Sequence, residues 1–81
     1  MQSCMLVKNN CLFPVSVLID GVPVFTDILP GDTTCCKKVI TGSFQITVLN
    51  NRNKIIFDLW LSAAPNTKHT LTINDSFFCF I

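Results

Sequence analysis

Glutamate is absent from this chain, histidine occurs once, and only three glycines are present among 81 residues. These shortages exclude a good deal. A reactive cysteine needs a low-pKa setting such as a neighbouring imidazolium or a helix N-terminus. His69 alone, with no Glu and no helical period anywhere, gives Cys–His catalysis nothing to stand on. Three glycines cannot form a phosphate-cradling loop. No apolar run approaches the roughly 18 residues of a membrane-spanning helix. The net charge of +1 supplies no basic field for nucleic acid and no acidic one for cationic partners. The N-terminus, MQSCMLVKNN, lacks the long apolar core and cleavage site of a signal peptide, so synthesis in a cytosol without a secretion signal is expected. Nothing implies a cofactor.

Apolar residues, by contrast, are plentiful: 49% of the chain is hydrophobic and 14% charged. A domain this short buries only about 60–65% of its unfolded surface and usually needs a staple or a neighbouring subunit. The composition therefore points to oligomerisation.

The organising stretch is Val15–Ile28, VSVLIDGVPVFTDI. β-Branched and aromatic runs flank Asp20-Gly21, the signature of a two-residue type I′ hairpin turn. Pro23 assigns the return strand to a sheet edge. Leu29-Pro30-Gly31-Asp32 turns the chain, and Thr33–Ile40 reads as the next strand. Ser43–Leu49 alternates, with Phe44, Ile46 and Val48 on one face. Lys54–Ser62 points Ile55, Phe57, Leu59 and Leu61 inward, and Ile56, Asp58 and Trp60 outward. Thr67–Ile73 buries Leu71 and Ile73, and the chain ends in FFCFI. Seven or eight strands about ten residues apart predict one all-β domain, an antiparallel two-sheet sandwich over residues 11–81, with residues 1–10 as an N-terminal arm. A closed barrel is the alternative architecture.

The final strand is apolar on both faces, Phe77, Cys79 and Ile81 on one and Phe78 and Phe80 on the other, so a second copy of the chain is the expected cover. The arm, with Met5, Leu6 and Val7, is long enough to reach that neighbour. Its Cys4 and the junction residue Cys11, the central Cys35-Cys36 pair and the terminal Cys79 are candidates for disulfides between subunits. Cys35 and Cys36 point to opposite strand faces and cannot serve one partner, and five is an odd number. Free, buried cysteines are the plainer reading. Zinc is weakly supported, because no C-x2-C pair exists and Cys4, Cys11, Cys79 and His69 would have to converge. Trp60 reads as an interface anchor or, alternatively, as a sugar-stacking platform; with Phe78 and Phe80 it completes the candidate interface. His69 reads as a satisfied buried or rim histidine, and Lys37-Lys38 as a solvated pair. Asn74-Asp75-Ser76 matches a glycosylation sequon.

The runs VSVLIDGVPVF, ILPGD, GSFQITV and HTLTI resemble Ig-like modules of bacterial surface proteins across Val15–Ile73. That resemblance implies an Ig-like or jelly-roll-like sandwich. In its cysteine-bearing N-terminal segment and lack of a signal peptide the chain is also similar to subunits of endospore appendages (ENA-type fibres). By that likeness Cys4 and Cys11 would be arm thiols, with Cys35, Cys36 or Cys79 as acceptors on the next subunit. The family's double cysteine lies in the arm, whereas here it lies in the body. The function expected is a self-assembling, disulfide-cross-linked structural subunit of an extracellular fibre or ring on a bacterial spore or cell surface. The alternative is a small binding module for a carbohydrate or protein ligand.

Overall fold

A computed structural model describes residues 3–81. Eight strands follow in order: β1 (Ser3–Asn9), β2 (Val15–Ile19), β3 (Val22–Ile28), β4 (Lys37–Val39), β5 (Gly42–Asn50), β6 (Ile55–Ala63), β7 (Lys68–Ile73) and β8 (Phe78–Phe80). They form two four-stranded sheets, β4-β1-β7-β8 and β3-β2-β5-β6, the expected two-sheet sandwich. Between the sheets lies one core, in which Met5, Val7, Leu71 and Ile73 of the first sheet meet Val15, Val17, Ile46 and Val48 of the second. Each such side chain contributes about 1.5–3 kcal/mol by leaving water.

The β2–β3 hairpin turns where the sequence places it. Asp20 and Gly21 both have positive φ, 51° and 81°, as the type I′ turn requires. The Asp20 carboxylate also accepts the Gln45 main-chain N–H at 2.9 Å, fastening the turn to β5. The edge position expected for the Pro23 strand is observed, since β3 ends the second sheet.

The N-terminal segment departs most from expectation. Residues 3–9 are not an arm but a central strand of the domain's own first sheet, between β4 and β7. Met1 and Gln2, the first residues of the expected arm, lie outside the described residues. Ser3, Met5, Val7 and Asn9 alternate inward and all are buried, so β1 completes the core. The expected boundary between residues 10 and 11 therefore vanishes. β1 also runs parallel to β7, in register from Cys4↔Lys68 to Asn9↔Ile73, whereas the other ladders are antiparallel. No hairpin links these two strands, so no short turn dictates their relative direction.

Two smaller corrections have local causes. The strand expected over Thr33–Ile40 shrinks to Lys37–Val39 with an isolated bridge at Thr33. Thr34 diverts it: its hydroxyl accepts the Val7 N–H at 3.0 Å and donates to the Cys35 carbonyl, replacing a ladder partner. In β6 a register shift between Val48 and Leu49 reverses the alternation, so Ile55 is exposed and Ile56 packs against the core. Beyond the bulge Asp58 and Trp60 face outward as expected.

Candidate functional site

The cysteines divide into three environments. Cys4 and Cys36 are bonded to each other within the chain, their Cα atoms 5.5 Å apart. Cys4 faces outward on β1, and Cys36 sits just before β4, so the bond clamps the two strands across the outer face of the first sheet. This corrects the expectation that both serve other subunits. Once β1 folds into its own domain, Cys4 lies beside Cys36 rather than on a free arm. Met5 and Val7, expected at an interface, are fully buried in the core for the same reason, and Leu6 is half-buried on the outer face.

Cys11 is buried, its Sγ 3.8 Å from the Ile73 carbonyl oxygen, where another subunit cannot reach it. Burial pushes its thiol pKa above the ordinary value of 9.0, and the Asp75 carboxylate adds to the rise. As pH climbs past 9.0 an unfolded chain releases this proton while the folded one retains it, so Cys11 makes stability fall with pH in that window and contributes no slope below it. Chemical denaturation across the alkaline range should show this decline, and Cys11→Ala should flatten it. A maleimide near neutral pH should label Cys35 and Cys79 in the native protein and reach Cys11 only after denaturant is added.

Cys35 and Cys79 are exposed free thiols. Cys35 precedes β4 at one edge of the first sheet, and Cys79 lies on β8 at the other. The Cys79 neighbourhood is apolar. Phe78 meets Phe57 of β6 edge to face at 5.7 Å, while Phe80 stacks on His69 at 4.9 Å. Phe80 is thus half-buried, while Phe77 (60% exposed), Phe78 and Ile81 remain open to solvent. The domain itself thus covers part of the Phe78/Phe80 face, which needs no second copy for that, and leaves the Phe77, Cys79 and Ile81 face open.

His69 is the satisfied buried histidine expected. Its Nε2 accepts the Ala64 N–H at 3.2 Å, so the proton is on Nδ1, which donates to the Ile81 main-chain oxygen at 3.2 Å. Both nitrogens are engaged and Cys4 is in a disulfide, so the imagined set of Cys4, Cys11, Cys79 and His69 does not assemble. Among the described residues no cluster of three or more potential ligands forms. An open depression of about 470 Å³ beside the disulfide is lined by Ser3, Lys38, Thr67 and Lys68, without an acid–base pair.

No protein-family model, curated protein or solved structure matches the chain. Its role must be argued from its own surfaces.

Two residues matter more than their sequence suggested. Lys37 is exposed like Lys38, as expected of a solvated pair, and in addition its Nζ donates to the Val24 carbonyl at 2.8 Å and lies 5.3 Å from the Phe25 ring centroid. It closes the flank where β4 approaches β3. Asn9, the last residue of β1, is a buried clasp. Its Nδ2 donates to the carbonyls of Phe13 and Ile28, both at 2.9 Å, and its Oδ1 accepts the Cys11 N–H at 2.8 Å. The signal available was an amide in phase with Ser3, Met5 and Val7.

Proposed function

We propose that this protein is a structural subunit that assembles with copies of itself into an extracellular fibre or ring, cross-linked by disulfides, at a bacterial spore or cell surface. The observation that carries the reading is β8: an edge strand whose outer face, with the Cys79 thiol between Phe77 and Ile81, its own domain leaves open. Exposed apolar edge strands invite pairing with another chain. Cys4 and Cys36 are spent inside the domain, so cross-links between subunits fall to Cys35 and Cys79. Each such bond removes two protons and two electrons, taken by an oxidant such as dioxygen outside a reducing cytosol. The likeness to endospore-appendage subunits then rests on the sandwich and its surface thiols rather than on a reaching arm.

Air-oxidised protein on a denaturing gel should run as a ladder that collapses to monomer with reductant. The Cys35→Ser/Cys79→Ser double variant should remain monomeric in both lanes. Monomer in every wild-type lane would remove the covalent part of the reading. The exposed Trp60 ring favours one second reading, a module that stacks a sugar or peptide on its open face. A persistent monomer whose Trp60 fluorescence shifts on titration with oligosaccharide would support it instead.

A further inference from the structure

The four sheet edges among the described residues are not equally protected. On one flank β3 contains Pro23 and two register shifts against β2, and Asp27 adopts a positive φ of 52°. Its neighbour β4 has three residues, and Lys37 ties it to β3. These features blunt an edge. On the opposite flank, β8 is also short, but β6 runs for nine residues without proline. β6 follows β5 without interruption from Gly42↔Ala63 to Val48↔Phe57.

The main chain shows which β6 groups are open. Gln45 directs its main chain at Asp20, accepting the Asp20 N–H at 2.9 Å and donating its own N–H to the Asp20 carboxylate. It therefore turns away from β6, and the Gln45↔Trp60 pair exchanges no main-chain hydrogen bonds. The N–H and C=O of Trp60 point along the open edge. By the two-residue period, so do those of Asp58 and Ser62.

We propose that β6 pairs antiparallel with β6 of a second copy of this chain about a two-fold axis at Trp60, joining two four-stranded sheets into one. The inference rests on the self-assembly reading and names its non-covalent contact. The strand is self-complementary in this register. Trp60 faces Trp60 and Asp58 faces Ser62 on the outer side, while Leu59 faces Leu61 and Phe57 faces Ala63 on the inner side. Asp58, Trp60 and Ser62 then supply about six main-chain hydrogen bonds. Moving the axis to Leu59 sets Ser62 against the bulged Ile56, and moving it to Leu61 runs Asp58 past the strand end. An axis at Asp58 opposes two carboxylates, which is unfavourable. Asp58 is the one charge within the strand, held by Gln45 Nε2 at 2.7 Å and Thr47 Oγ1 at 3.3 Å on its own sheet. The exposed Trp60 and Ile55, with Phe78 against Phe57, add apolar area to this open edge.

Sedimentation equilibrium on the full chain carrying Cys35→Ser and Cys79→Ser, so that no surface disulfide contributes, tests the contact. The parent should be a reversible dimer. Ser62→Asp, which sets a carboxylate against Asp58 of the second copy at two symmetric places, should weaken dimerisation about tenfold, and Ser62→Lys should strengthen it by a similar factor. Trp60→Pro should abolish it while keeping the sheet circular dichroism, because the N–H it removes is unused within the subunit. A dimer indifferent to both Ser62 changes would overturn the β6 contact and leave self-assembly standing through another surface. A monomer at every concentration would overturn both.

Discussion

Replacing Asn9 with leucine is expected to lower the unfolding free energy by about 3–5 kcal/mol, the largest effect of any single substitution in the domain. Leucine resembles asparagine in size, so the loss is not one of volume. The fully buried Asn9 side chain makes three hydrogen bonds, to the Ile28 carbonyl and from the Cys11 N–H in buried surroundings and to the Phe13 carbonyl in partly buried ones. Removing it strands three main-chain groups, each costing about 1–3 kcal/mol when buried without a partner. The same residue's main chain accepts from Gly31 and donates to Asp32, so one position gathers the ends of β1, β3 and the approach to β2. A domain of this length has a total stability of about 4–12 kcal/mol. The variant should therefore unfold at much lower urea, with some chains unfolded before any is added. Asn9→Asp should be worse near neutral pH, because its carboxylate has no proton to offer the two carbonyls. Asn10→Ala, one residue on at an exposed position, should change stability by no more than about 0.5 kcal/mol. Equal losses at positions 9 and 10 would show that the clasp does not hold the sheets.

What could be read in the sequence was local. Asp20-Gly21 dictates its own turn by backbone sterics, Pro23 cannot donate to a central ladder, and Phe44-x-Ile46-x-Val48 shows its buried face by period alone. Each of these needs only a few neighbouring residues, and each agrees with the structure. The role of β1 needed knowledge from the far end of the chain. Whether Ser3–Asn9 is an arm or a central strand depends on whether β7, some sixty residues later, leaves a gap beside it. The β6 bulge likewise depends on how β5 and β6 are joined, not on either strand's pattern. The site was legible in part. The open Phe77, Cys79 and Ile81 face of the tail and the outward Trp60 followed from alternation, whereas the cysteine pairing could not, because connectivity is set by which Cα atoms folding brings close.

That pairing carries the second large effect. The Cys4→Ser/Cys36→Ser double variant is expected to lose about 3.5–4 kcal/mol, because the bond closes a loop between residues 32 apart and removes much of the unfolded chain's freedom. For a domain of this size that corresponds to a fall in Tm of about 15–30 °C, measurable by circular dichroism. Cys35→Ser, beside the same bond but exposed and unpaired, should shift Tm by no more than a few degrees. The bond and Asn9 hold β1 at opposite ends, five strand residues or about 17 Å apart, so their losses should add. Together they would remove about 6.5–9 kcal/mol from a total of about 4–12 kcal/mol, and a chain lacking both should be largely unfolded. The disulfide variant alone should still fold, because Met5 and Val7 remain buried and Asn9 remains bonded. A chain made in a reducing compartment would then fold before oxidation, which would strengthen a sandwich already in place. If reduced protein proves unfolded at room temperature, oxidation must come first, and assembly has to wait for it.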